Sequence, residues 1–246
     1  MKILGIIPAR YASTRFPGKP LADIKGKPMI LRVYEQALKS GKLDALIVAT
    51  DDKRIYNTLK AAKANVTMTS MHHRTGTERC HEVVKKLSKQ KQYFDIAINI
   101  QGDEPFIQPE QIDTVATNFE EENIEIATLA KEIIDEDELH NKNVVKLVRG
   151  ISGKALYFSR APIPYHEEKP GSSPEAVYLK HIGIYAYRVD ILKEITALEP
   201  TPLEHLESLE QLRWLENGYG IHVKLTDFES IGVDSPEDLE KLINKI

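Results

Sequence analysis

The sequence predicts an α/β fold: a mostly parallel central sheet covered by helices on both faces, with a small antiparallel lobe added to it. Three observations carry this. Over the first two-thirds of the 246 residues, short apolar runs alternate with longer amphipathic ones, the pattern of βαβ crossovers. After about Val144 three strand-like runs follow with no long helix between them. The length suits one sizeable domain, and 41% hydrophobic with 28% charged residues is ordinary for a soluble globular chain.

The elements follow in order. Ile3–Pro8 is a continuous apolar run and reads as a buried strand, followed by a helix over Met29–Lys39. Ala45–Ala49 is a strand, Asp52–Ala62 a helix and Val66–Thr69 a short strand. A helix over Thr77–Lys91 precedes a strand over Asp95–Ile100. Pro109–Glu121 is a helix entered by proline in its first turn, and Ala127–Lys131 is a strand. Val144–Arg149, Ala155–Ser159 and Lys180–Tyr187 are the strands assigned to the lobe, which spans 144–188 of the single domain over 1–246. Pro162–Pro174 reads as a loop, Leu206–Glu216 as a helix and Ile221–Leu225 as a strand. The last helix opens at Asp234-Ser235-Pro236-Glu237, a proline-and-acid start signal.

Composition narrows the partners. A net charge of −4 argues against nucleic-acid binding in general. The single cysteine, Cys80, forbids an intramolecular disulfide and is compatible with the cytoplasm. No basic segment followed by an apolar one opens the chain, and no run approaches the roughly 18–20 apolar residues of a membrane span. Neither a signal peptide nor a membrane partner is expected.

Four segments carry chemistry. The loop Pro8–Leu21 follows the first strand, at the sheet edge where ligands bind. Its Arg10 and Lys19 suit a polyphosphate, one by a forked contact and one as a compact charge. It lacks the Walker A frame, and composition alone leaves a solvated basic loop equally open. Asp103, in Gln101-Gly102-Asp103-Glu104-Pro105, sits beyond a strand end, where a carboxylate can hold magnesium against phosphate oxygens or simply shape a turn. Asp234 is a second acid, and spacing alone favours it as a helix cap. Thr75-Gly76-Thr77-Glu78-Arg79 opens a helix, and either a capping box of Thr75 with Glu78 or an anion site accounts for it. Taken singly, His181 reads as structural, His72-His73 as loop and Trp214 as core.

Together these segments resemble the 3-deoxy-manno-octulosonate (Kdo) cytidylyltransferases. The resemblance covers nearly the whole chain: IPARYASTRFPGKPL at 7–21, VATDD at 48–52, TGTER at 75–79, NIQGDEP at 99–105, ALYFSRAPIPY at 155–165, HIGIYAYR at 181–188, PLEHLESLEQLRWLENG at 202–218 and GVDSPEDLE at 232–240. It implies a Rossmann-like nucleotide-diphospho-sugar transferase fold with a dimerising lobe. It implies a reaction of CTP with Kdo to CMP-Kdo and pyrophosphate, dependent on Mg²⁺, that activates the sugar for lipopolysaccharide synthesis. Carried over by position, Arg10, Ser13 and Lys19 meet the triphosphate, while Pro8, Ala9, Thr77, Arg79 and Gln101 belong to the nucleotide pocket. Asp103 and Asp234 are its metal acids, reversing the cap preference for Asp234, and Arg10, Lys19 and Asp103 are its catalytic set. Arg160, His181, Tyr185, Glu210 and Gln211 fall near the sugar.

The chain departs from the family pattern at His72, Thr75, Lys142 and Ser235, none of them a proposed phosphate or metal ligand. Tyr11-Ala12 replaces the glycine pair usual in sialic acid cytidylyltransferases, which favours Kdo. Enzymes for 8-amino-Kdo or sialic acid, and an inactive nucleotide-binding relative, remain the alternatives.

Overall fold

The computed structural model describes residues 1–12, 15–121, 123–166, 177–229 and 231–245. Among them are eleven strands: β1 (Ile3–Ala9), β2 (Asp23–Ile24), β3 (Lys27–Pro28), β4 (Ala45–Thr50), β5 (Val66–Met68), β6 (Ile96–Asn99), β7 (Ile126–Glu132), β8 (Lys146–Arg149), β9 (Ala155–Ser159), β10 (Leu179–Arg188) and β11 (Ile221–Leu225). Nine α-helices accompany them: α1 (Met29–Ala37), α2 (Lys53–Ala61), α3 (Gly76–Lys89), α4 (Pro109–Ala116), α5 (Glu136–His140), α6 (Val189–Ile195), α7 (Pro202–Glu207), α8 (Gln211–Glu216) and α9 (Pro236–Lys245).

The main sheet runs β11-β7-β10-β6-β1-β4-β5. Neighbours are parallel except at β10, which runs antiparallel to both β6 and β7. Strand β1 shows how the sequence builds this. It is apolar along its length because both of its faces are covered. Ile3 and Ile7 pack on one side with Ile30 and Val33 of α1 and Ile55 of α2. Leu4 and Ile6 pack on the other with Cys80 and Val83 of α3 and with Trp214. A third, small core joins Ile24 and Met29 to Val233 and Leu242. It seats the start of α9 beside the loop that follows β1.

Strand β10 departs from its expected place. Its first residues, Leu179 and Lys180, pair with β8, which pairs in turn with β9, and this forms the antiparallel extension. Its later residues, Tyr185–Arg188, lie inside the main sheet against β6. A bulge between Ile182 and Tyr185 divides the two parts. Thr128 fills it, with Oγ1 2.7 Å from the Ile184 carbonyl and 3.1 Å from that of Ile182.

The helix expected over Leu206–Glu216 is broken. Ser208 takes a left-handed conformation, φ 53°, and ends α7. Glu207 is drawn aside to accept from the Ser159 hydroxyl at 2.6 Å and the Arg160 N–H at 2.9 Å. The break leaves Glu210 and Gln211 at the start of α8. Helix α4 ends at Ala116 and tightens into a 3₁₀ turn over Thr117–Glu120. Asp52 caps α2, accepting from the Arg54 N–H at 2.8 Å.

Candidate functional site

The carboxyl ends of β1 and β6 and the amino end of α3 enclose a cavity of about 410 Å³ lined by Pro8, Ala9, Arg10, Lys19, Arg79, Gln101, Asp103 and Asp234. Arg15 and Arg74 also face it, so five arginine or lysine side chains surround two carboxylates. That excess suits a polyanion. The loop after β1 is shaped by Gly18, at φ 76°, whose N–H donates to the Tyr11 carbonyl at 2.9 Å. A Cβ there would stand 2.9 Å from the Tyr11 hydroxyl. The Tyr11 ring is covered in turn by the Arg54 guanidinium, 3.2 Å from its centroid. Arg54 is held by Asp52 at 2.7 Å.

The two acids meet at one cation. Lys19 Nζ lies 2.7 Å from Asp103 Oδ2 and 3.4 Å from Asp234 Oδ1. Arg15 adds a fork on Asp234 at 3.0 and 3.2 Å. The backbone arranges this: the Val233 N–H donates to the Asp103 carbonyl at 2.9 Å, and Val233 is fully buried in the small core. Gly102 brings the β6 loop against β1, since a Cβ on it would lie 2.6 Å from the Pro8 carbonyl oxygen. Asp234 does not cap α9. Ser235 does, accepting from the Asp238 N–H at 3.2 Å, while Asp238 Oδ2 accepts from the Ser235 N–H at 3.0 Å. The Asp234 carboxylate is thereby left to face the cavity. Two carboxylates converging on one cationic position fit magnesium, which takes one or two protein carboxylates and completes its shell with water and substrate oxygens. Among the described residues no group of three or more His, Cys, Asp or Glu side chains assembles as a denser metal site.

Arg79 lines this cavity but is heavily engaged. It is 3% exposed, and its guanidinium bonds Asp51 at 2.7 Å, the Thr69 hydroxyl and the Ser70 carbonyl. It ties the end of β4 to the segment after β5. Thr75 caps α3 by accepting from the Glu78 N–H at 3.2 Å. The Glu78 carboxylate accepts instead from the Arg74 N–H at 2.8 Å, so only half of the expected capping box forms.

A second cavity of about 310 Å³ adjoins the first, sharing Pro8, Gly76 and Gln101 with it. Thr77, His181, Tyr185, Glu210 and Gln211 line it. Gln101 is fixed at the junction by donating from Nε2 to the Gly183 carbonyl at 2.8 Å. The Thr77 hydroxyl donates to Glu210 at 2.8 Å. Burial pushes the Glu210 carboxyl up, against the bond from Thr77. Burial pushes the His181 imidazole down to about 3, so it is neutral at pH 7. Its Nε2 lies 3.0 Å from Thr128 Oγ1. The Thr128 proton is directed to a bulge carbonyl, which assigns the N–H of the pair to His181 Nε2. Held neutral, His181 brings hydrogen-bonding ring nitrogens to this wall and no charge.

The sequence reading missed Asn99, Tyr187 and Trp214 as lining residues of this cavity. Trp214, 1% exposed, sets its edge against the stacked Tyr185 and Tyr187 rings. It is thus both core and wall. Among the described residues the buried Asn99 Oδ1 has no hydrogen-bond partner, and the buried hydroxyls of Tyr185 and Tyr187 meet none at full hydrogen-bond geometry, with Thr128 and Thr77 beside them. Unpaired buried polar atoms are costly, and a polyhydroxylated ligand would repay them. Arg160 lines neither cavity. Its guanidinium donates to the carbonyls of Glu207 at 2.8 Å, Lys142 at 3.1 Å and Ser208 at 3.3 Å. Ser13 and residues 167–176 lie outside the described residues.

Comparison with known proteins agrees with this geometry. The cytidylyltransferase family model matches residues 4–231. A 3-deoxy-manno-octulosonate cytidylyltransferase of Parabacteroides distasonis is 54% identical over 249 residues, covering 99% of this chain and 97% of that protein. One from Phocaeicola vulgatus is 54% identical and covers 98% and 96%. A solved CMP:2-keto-3-deoxy-manno-octonic acid synthetase complexed with CTP superposes with a TM-score of 0.91 at 42% identity, covering 100% of this chain and 98% of that one. The chain belongs to the 3-deoxy-manno-octulosonate cytidylyltransferase family.

Proposed function

We propose that the protein transfers the cytidylyl group of CTP to Kdo, releasing pyrophosphate and forming CMP-Kdo. The observation that carries this is the pair of adjoining cavities: one ringed by cations at the β1 loop, the other lined by hydroxyls, amides and a carboxyl, joined at Gln101. A solved relative at 42% identity is complexed with CTP. The triphosphate lies in the first cavity against Arg10 and Lys19, with Ser13 assigned there by sequence, and the sugar lies in the second. The anomeric hydroxyl attacks the α-phosphorus while pyrophosphate leaves in line. Arg10 and Lys19 face the charge that builds on the leaving group, and such preorganised cations stabilise it without reorganising. Holding both substrates across the Gln101 junction supplies the rest by orientation. No protein nucleophile is needed. Neutral His181 with Tyr185, Glu210 and Gln211 orients the sugar. Asp103 and Asp234 are the residues that would hold Mg²⁺, which neutralises phosphate charge and lowers the pKa of a bound hydroxyl.

Two copies of the chain meet through the antiparallel extension in this reading. Ile151, at the turn between β8 and β9, and Leu156, on β9, are both exposed there. No described helix is long and apolar enough to cross a membrane. Cys80 is buried and unpaired, and we place the reaction in the cytoplasm. Incubation with CTP, Mg²⁺ and either Kdo or N-acetylneuraminate tests the assignment. Pyrophosphate release with Kdo supports it, and release with neuraminate alone refutes it.

A further inference from the structure

Lys146 is fully buried, 0% exposed, and among the described residues its ammonium meets backbone carbonyls, not a carboxylate. Its ammonium has three protons, and each finds a backbone carbonyl: Arg160 at 2.6 Å, Val144 at 2.7 Å and Asn141 at 3.0 Å. A buried ammonium at the start of β8 is costly unless it is fully hydrogen-bonded, and this one is. The carbonyl of Arg160 accepts from Lys146, while its N–H and guanidinium grip Glu207 and Ser208. The chain of contacts thus runs from the 141–144 turn through Lys146 and Arg160 to the Glu207–Ser208 break. That break immediately precedes Leu209, Glu210 and Gln211, which wall the second cavity.

We infer that Lys146 is a positioning residue for the sugar cavity, acting through Arg160 and Glu207 on the Ser208 turn that aims Glu210 and Gln211. The inference rests on the assignment of that cavity to the sugar. It explains why two cations are spent on backbone carbonyls beside a site where neither lines the wall. It also places the larger effect on the sugar. The triphosphate cavity is built from the β1 loop, the β6 loop and the start of α3; Lys146, Arg160, Glu207 and Ser208 contact none of these, and only Glu210 reaches α3, through the Thr77 hydroxyl.

The test is steady-state kinetics of Lys146→Met and Glu207→Gln at a temperature well below the melting midpoint of each variant. A misplaced pocket wall raises the KM for Kdo by about tenfold or more, while the KM for CTP stays within about twofold. A brace that merely held the fold together would instead lower the melting midpoint and leave both KM values unchanged. Should Lys146→Met not fold, Glu207→Gln alone decides, since it removes one of two contacts at an unchanged volume. Gln211→Ala serves as the control. If it raises the KM for Kdo while neither brace variant does, the brace is overturned alone. If Gln211→Ala leaves that KM unchanged, the sugar assignment falls and the inference falls with it.

Discussion

Replacing Lys19 by methionine separates catalysis from folding. The ammonium bridges Asp103 at 2.7 Å and Asp234 at 3.4 Å, so its loss leaves two carboxylates without their shared cation. The stability cost is small, because the Asp103 and Asp234 side chains are 31% and 53% exposed and water replaces the contact. Pairs of that kind contribute about 0.2–1 kcal/mol, which moves the melting midpoint of a chain this long by no more than roughly 4 °C. The kinetic cost is large. Removing one preorganised donor from developing negative charge costs about 10²–10³ in kcat, or about 2.7–4 kcal/mol. The assay is pyrophosphate release at saturating CTP, Kdo and Mg²⁺, beside a thermal melt. A kcat within threefold of the parent would refute the role given to Lys19, and so would a kcat loss that only tracks unfolding.

Three further outcomes follow from particular contacts. Asp51→Ala strands the Arg79 guanidinium, whose side chain is 4% exposed; a broken buried pair costs about 3 kcal/mol, so the melt should fall by roughly 6–12 °C. Gly102→Ala pushes a methyl to 2.6 Å from the Pro8 carbonyl, which should displace Asp103 and lower kcat at least about tenfold while circular dichroism shows a folded chain. Glu82 has its carboxyl lowered from 4.5 to about 2; burial works against this, and Lys86, the Ser70 N–H and His73 outweigh it. A lowered folded-state pKa stabilises the fold above the unfolded value and loses that stability as pH falls through the folded one. The Glu82→Gln variant should therefore show a shallower loss of stability between pH 4.5 and 2 than the parent, measured by urea unfolding across that range.

Much of the fold was legible because burial leaves a plain mark on single elements. The unbroken run Ile3–Pro8 reads as a buried strand, and Asp52 reads as the start of a helix. What was not legible depends on contacts between distant residues. Lys180–Tyr187 reads as a strand whichever sheet it joins, and only the pairing of Tyr185 with Asn99 shows that its second half enters the main sheet. The run Leu206–Glu216 keeps helical period, yet the pull of Ser159 and Arg160 on Glu207 breaks it at Ser208. In the site, Arg10, Lys19 and Asp103 stood out as charged residues at strand ends. Asp234 was ambiguous by spacing, and in the fold Ser235 takes the cap and Asp234 faces the cavity. Asp51 and Asn99 fall within segments that carry the family resemblance, yet nothing in their immediate neighbourhood marks a role, since each matters through a partner or cavity far away in sequence. Arg160 looked like a sugar contact by position, whereas its guanidinium is spent on three carbonyls.

In the proposed reaction Asp103 and Asp234, with the cations around them, serve cytidylyl transfer to Kdo. The most direct test of this role is stoichiometric: CMP-Kdo and pyrophosphate measured together in one reaction of the protein with CTP, Kdo and Mg²⁺, for the parent and for Asp103→Asn. One pyrophosphate per CMP-Kdo is expected of the parent, and Asp103→Asn should remain folded and lose most turnover. Near-normal turnover in Asp103→Asn, or no CMP-Kdo from the parent, would contradict that role.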